Sequence, residues 1–121
     1  MDTERYRVRR DNDKDLAFAG TLIGAGDYGS GGHAPSQHTR GTEVEIYLTE
    51  GAKIVTAVRQ WSHWQGEEDV HRAAVHDTPA EAYHWLVDDC GGKLGRASKE
   101  AWEDACEHCP ALAGADVEEV A

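Results

Sequence analysis

From Val44 to Trp64 the chain alternates, and that alternation limits what it can fold into. Val44, Ile46 and Leu48 alternate with Glu45, Tyr47 and Thr49, the two-residue period of a strand with one buried face. Glu50-Gly51-Ala52 breaks the pattern. A tight turn there needs a residue able to take positive φ, and Gly51 is expected to supply it. Alternation then resumes. Ile54, Thr56 and Val58 define one face, and Val55, Ala57, Arg59, Trp61 and His63 the other. Two such runs joined by so short a turn predict a hairpin at the middle of an antiparallel sheet.

The flanking chain adds to this hairpin or covers it. Arg5 to Arg10 alternates basic and apolar residues and reads as an edge strand, with Tyr6 and Val8 inward and the arginines guarding the edge. Asp11-Asn12-Asp13 is a turn. Leu16 to Ile23 is a further strand, with Leu16, Phe18 and Leu22 on one face and Gly20 marking a bulge or bend. The glycine-rich stretch 24–40 is expected to be a long mobile loop. Val70 to His76 alternates again and predicts a fifth strand. The pattern then switches to helix. Thr78-Pro79-Ala80-Glu81 is a capping box with proline at the first helical position. Ala82, Trp85 and Leu86 share a stripe, and Cys90-Gly91-Gly92 ends the helix. A second helix is expected from an N-cap at Ser98 to just before Pro110, and Asp116 to Val120 is a marginal further turn. About five strands followed by two helices predict a single α+β domain over 1–121, with an antiparallel sheet carrying its helices on one face or end.

Charge divides the chain. Residues 1–66 hold nine acids against eight Lys/Arg, and residues 67–121 hold fourteen against four, within a formal net charge of −11. An acidic half disfavours direct binding to a phosphate backbone and favours a basic partner. No run reaches the roughly 18 apolar residues of a membrane span. The N-terminus lacks the apolar core of a secretion signal, and three cysteines form no disulfide framework, so a reducing cytoplasm is expected.

The second helix carries the sharpest pattern. Glu100, Glu103, Asp104 and Glu107 fall on one side at i, i+3, i+4 and i+7, opposite Trp102, Ala105, Cys106 and Cys109. Like charges at those spacings repel by roughly 0.2–0.5 kcal/mol per pair, so either the face is simply solvated or the row serves a partner. Glu67, Glu68 and Asp69 form a second acidic patch, with Asp88 and Asp89 at the end of the first helix and Glu118 and Glu119 near the C-terminus. Such carboxylates are expected to occupy a basic groove that otherwise holds phosphates.

Other motifs carry less. Cys106-Glu107-His108-Cys109 supplies at most three of the four ligands that structural zinc requires, so Cys90 or another histidine would have to complete the site. At a helix C-terminus the dipole raises a thiol pKa, which disfavours redox chemistry. Gly24-Ala25-Gly26-Asp27-Tyr28-Gly29 matches a dinucleotide fingerprint, but Ser30-Gly31-Gly32-His33-Ala34-Pro35 cannot begin the required helix, and Asp27 repels phosphate. His63, His71, His76 and His84 have no nucleophile at a recognisable spacing, and Ser30, Ser36 and Ser62 lack a nucleophile elbow. Trp61 and Trp64 fit either a sheet face or an exposed interface anchor.

Several of these stretches resemble a group of small proteins carried by phages, plasmids and other mobile elements. They are Tyr6-Arg7-Val8, Thr42-Glu43-Val44-Glu45-Ile46-Tyr47, Trp64-Gln65-Gly66-Glu67-Glu68-Asp69 and Asp77-Thr78-Pro79-Ala80-Glu81, within residues 5–90. Some members of that group are similar to anti-CRISPR inhibitors of type I surveillance complexes. The resemblance implies a non-enzymatic blocker that binds a Cas subunit and prevents DNA recognition. Taken with the acidic pattern, the chain is expected to act as a DNA mimic in the host bacterial cytoplasm, as a monomer or weak homodimer, with no cofactor and no direct contact with nucleic acid or membrane. The alternatives are a small zinc-binding domain or enzyme using the histidines and cysteines, and an accessory homodimeric interaction module.

Overall fold

The computed structural model describes residues 3–30, 37–115, 117 and 120. Five strands come first: β1 (Glu4–Val8), β2 (Leu16–Ser30), β3 (Arg40–Thr49), β4 (Ile54–Ser62) and β5 (Val70–His76). They form one antiparallel sheet in sequence order. Helices α1 (Pro79–Asp89) and α2 (Arg96–His108) follow, and a 3-10 turn spans Pro110–Leu112. This is the α+β arrangement expected from the pattern. The turn expected over Asp116–Val120 lies mostly outside the described residues.

Both helices cover the same face of the sheet. Val44, Ile46, Ile54 and Val58 meet Ala82 and Leu86 of α1 and Ala97, Ala101, Trp102 and Ala105 of α2 in one buried cluster. Burying a Val, Leu or Ile side chain contributes about 1.5–3 kcal/mol, so this layer is the main source of stability. One arm of the capping box forms as expected, the Glu81 amide donating to Thr78 Oγ1 at 3.2 Å, while the Glu81 carboxylate accepts from the Asp77 amide, one residue before the N-cap, at 3.2 Å. At the other end of α1, Gly91 takes φ +84°. Gly91 N–H and Gly92 N–H return to the Asp88 and Val87 carbonyls, which satisfies the last turn.

Four expectations are corrected. The first concerns the loop at 24–40. Residues 24–30 are strand, paired with β3 as far as Ser30 opposite Arg40, and residues 31–36 of the expected loop lie outside the described residues. The glycines are there for space rather than for a loop. A Cβ on Gly26 would stand 2.1 Å from the Ala97 carbonyl oxygen, and one on Gly24 would stand 2.4 Å from that of Ala101. Ala97, Ala101 and Ala105 of α2 therefore lie directly on the backbone of β2, a contact that only glycine permits.

The second concerns Gly20. The register shift falls between Leu22 and Gly24, with Ile23 as the extra residue, and Ile23 is buried. At Gly20 the Leu48 carbonyl passes 2.5 Å from where a Cβ would be. The third concerns the β3–β4 turn, where the positive φ belongs to Ala52, at 61°. The fourth concerns α2, which begins at Arg96 behind an N-cap at Gly95. Ser98 is buried instead, 3.5 Å from Cys90 Sγ.

The sheet curls strongly. Tyr6 on β1 reaches across β2 to stack on Tyr47 of β3 at 4.7 Å, and Phe18 completes the trio at 5.2 Å from Tyr47. Where the curl closes, Asp11 meets the far edge strand. Its amide donates to the His71 carbonyl at 3.0 Å, and its carboxylate accepts from the His71 amide at 2.8 Å. A bulge bends its strand, and the Ile23 bulge lies in the strand that turns the β1 hairpin inward. As a result Tyr47 and Val55 are buried on the face that carries no helix, where the alternation predicted a half-exposed strand.

Candidate acidic interface

Because the alanine stripe of α2 is pinned to β2, the opposite side of the helix is turned outward. Glu100, Glu103 and Glu107 are exposed. None has a cation within the 4.0 Å ion-pair distance among the described residues. Asp104 is different. It is half-buried, its carboxylate accepts from the Ala25 amide on the outer edge of β2 at 3.0 Å, and it lies 3.1 Å from His108 Nδ1. It ties helix to strand. The Asp104 carbonyl and then its carboxylate hold the His108 imidazole above its ordinary pKa.

The outward row continues around the edge of β2. Glu100 lines a shallow cavity of about 440 Å³ together with Asp27 and Glu45. Asp27 sits opposite Glu43, and Ala25 opposite Glu45, in the β2–β3 register. Glu43 is neutralised by Arg59 at 3.0 Å, whereas Asp27 and Glu45 have no cation within 4.0 Å among the described residues. Asp27 was missed in the sequence because the loop assignment over 24–30 removed the strand that sets it against β3, and Glu45 because it was read only as an alternating strand position.

The second acidic patch does not join this row as open charge. Glu67 receives both Arg40 nitrogens, at 3.0 and 2.9 Å, and the Ser62 hydroxyl at 2.5 Å. Asp69 holds Arg59 at 2.7 Å. These partners keep both carboxyls below their ordinary pKa, Arg40 leading for Glu67 and Arg59 for Asp69. Together they fasten the β4–β5 connection to the sheet. Asp89 grips Arg72 through two bonds of 2.5 and 3.1 Å, with its side chain only 10% exposed. Glu68 and Asp88 stay exposed. Glu118 and Glu119 lie outside the described residues.

The remaining candidates are dispersed. Among the described residues no three His, Cys, Asp or Glu side chains are grouped to hold a metal ion. Cys106 and Cys109 pack against the core cluster, and no disulfide joins the three thiols. His76 is buried against Thr56 Oγ1 at 2.8 Å, His71 is bonded to Asp11, and His63 stacks on Trp61 at 4.9 Å. His84 lies beside Tyr83. The GxGxxG stretch is strand from end to end, so it has no helix N-terminus to offer a phosphate. No helix among the described residues is long and apolar enough to cross a membrane.

Comparison with known proteins adds no relative: no family model, curated protein or solved structure matches this chain.

Proposed function

We propose that this protein is a non-catalytic binding protein whose acidic face competes with nucleic acid for the basic surface of a nucleic-acid-binding complex. One observation carries the reading. Glu100, Glu103 and Glu107 run along the outside of α2 and continue over the β2 edge to Asp27 and Glu45, with no cation paired to any of the five among the described residues. At 1.5 Å rise per residue the three helix carboxylates span about 10.5 Å, or about one charge per 5 Å. A nucleic-acid strand offers one per about 3.4 Å of axis. The densities are of one order, and electrostatic complementarity on that scale raises on-rate and selects the partner. The resemblance to anti-CRISPR inhibitors narrows the proposal to a type I surveillance complex in the host cytoplasm, held so that it fails to recognise DNA.

The test is a direct competition. A purified type I surveillance complex is incubated with the protein and challenged with its DNA target at two salt concentrations. The wild type is expected to lower DNA occupancy, and to do so less at high salt, because screening weakens exposed charge contacts. The variant Glu100→Gln/Glu103→Gln/Glu107→Gln is expected to lose at least tenfold in inhibition. A control that removes a charge elsewhere, Asp88→Asn, should keep most of it. If the triple variant inhibits as well as the wild type, the acidic face has no part in the mechanism.

A further inference from the structure

A second surface lies at the end of the sheet where β2 and β4 finish and β3 begins. It is a groove of about 360 Å³, lined by Tyr28, Thr42, Gln60, Trp61, Glu67 and Glu68 among others. Its floor is held open by glycine: a Cβ on Gly41 would stand 2.3 Å from the Trp61 indole, so the ring lies across the β3 backbone. Tyr28, Val70 and the neighbouring Trp64 are 46%, 38% and 55% exposed. Large apolar side chains grouped in this way mark contact sites rather than random surface.

Two of these rings already carry guanidinium groups. Arg40 stands 5.5 Å above the centre of Trp64, and Arg96 stands 5.5 Å above that of Tyr28. Arg40 is held there by the two bonds it donates to the Glu67 carboxylate. Glu68, in the same lining, has no cation within 4.0 Å among the described residues. The groove thus offers exposed aromatic side chains, the Glu68 carboxylate and the Thr42 hydroxyl, beside Arg40, while Gln60 Oε1 already accepts from Arg72 at 3.0 Å. That set matches a guanidinium, which stacks on rings and donates several hydrogen bonds in one plane.

We infer that the groove receives an arginine side chain of a basic partner. The inference rests on the reading of the partner as basic and adds a second, selective anchor to it. Tyr28 links the two surfaces: it follows Asp27 in β2, and its ring lies under Arg96 at the start of α2. A lysine fits less well, because its ammonium is a strongly hydrated point charge that neither stacks nor forks.

The test uses two probes, an octa-arginine peptide and an octa-lysine peptide, titrated into isotope-labelled protein. The indole N–H resonances of the four tryptophans are followed. Trp61 and Trp64 are expected to shift and saturate at several-fold lower concentration with octa-arginine than with octa-lysine, while Trp85 and Trp102 stay in place. Trp64→Ala/Glu68→Gln is expected to weaken octa-arginine binding at Trp61 about tenfold and to erase the preference. Unmoved Trp61 and Trp64 resonances, or equal response to the two peptides, would overturn the inference. The α2 triple variant separates this from the acidic-face reading. If it keeps the arginine preference while losing inhibition, both stand. If inhibition survives and the preference is present, the groove stands and the acidic face does not. If inhibition is lost and no preference is ever seen, the acidic face stands alone.

Discussion

At Gly26 a missing side chain decides how helix and sheet meet. A methyl group there would lie 2.1 Å from the Ala97 carbonyl oxygen, so one of the two backbones must shift. Gly26→Ala is therefore expected to cost at least about 2 kcal/mol, in the upper range of overpacking, read as a lowered urea midpoint. Gly51 has only Thr49 Oγ1, at 3.9 Å, near its would-be Cβ. Gly51→Ala should fall within about 0.5 kcal/mol of wild type, as for an exposed position. The turn beside it stores the strain, because Ala52 holds φ 61°. Ala52→Gly removes a cost of about 1–2 kcal/mol and adds back about 0.5–1 in chain entropy, so melting should move up slightly.

Two histidines work against each other. Burial pushes His76 below its ordinary pKa of 6.5, with Glu81 opposing. A histidine held neutral in the fold gives stability that is complete above pH 6.5 and drains away as pH falls below it. His108 is raised by Asp104, so its contribution is complete below 6.5 and is lost as pH rises through the folded value. It is exposed and screened, hence the smaller of the two. Denaturation between pH 5 and 7.5 should show a steeper acid loss in His108→Gln, and a reversed slope in His76→Gln.

Among the elements, α1 was legible residue by residue. Its cap, its apolar stripe and its glycine stop follow from local rules, and Thr78→Ala should cost about 1 kcal/mol in thermal melts. For α2 the sequence showed the acidic side but not how the row is divided. Asp104 belongs to a fastening between helix and strand, while Glu100, Glu103 and Glu107 remain outward. Their repulsion, roughly 0.2–0.5 kcal/mol per adjacent pair, predicts that the triple Gln variant melts slightly higher than wild type while binding its partner worse. A variant that loses both stability and binding would show instead that these side chains hold the fold. Strand β2 was half legible. Leu16 to Leu22 alternates openly, but beyond it the glycines imitate a loop, because the positions packed against the α2 backbone, Gly24 and Gly26, carry no side chains to alternate with Ala25 and Asp27.

Across the whole molecule, the curl of the sheet buries Tyr47 and Val55 without a helix above them and brings the β1–β2 turn against the far edge strand β5 at Asp11 and His71. Asp11→Ala removes the acceptor of the His71 amide. It should cost about 1 kcal/mol and speed hydrogen exchange at His71 well beyond that at the centre of β4. The sequence by itself determined the element order, the antiparallel hairpin, the helix caps and the acidic balance of residues 67–121, since each depends on neighbours within a few positions or on composition alone. Only the tertiary structure decided which carboxylates are open. Arg40, Arg59 and Arg72 reach Glu67, Asp69 and Asp89 across 27, 10 and 17 positions, and Asp27 meets the α2 row only because β2 and α2 touch. Ion pairing depends on distance in space, and the curl and the glycine contact set those distances, which no local periodicity encodes.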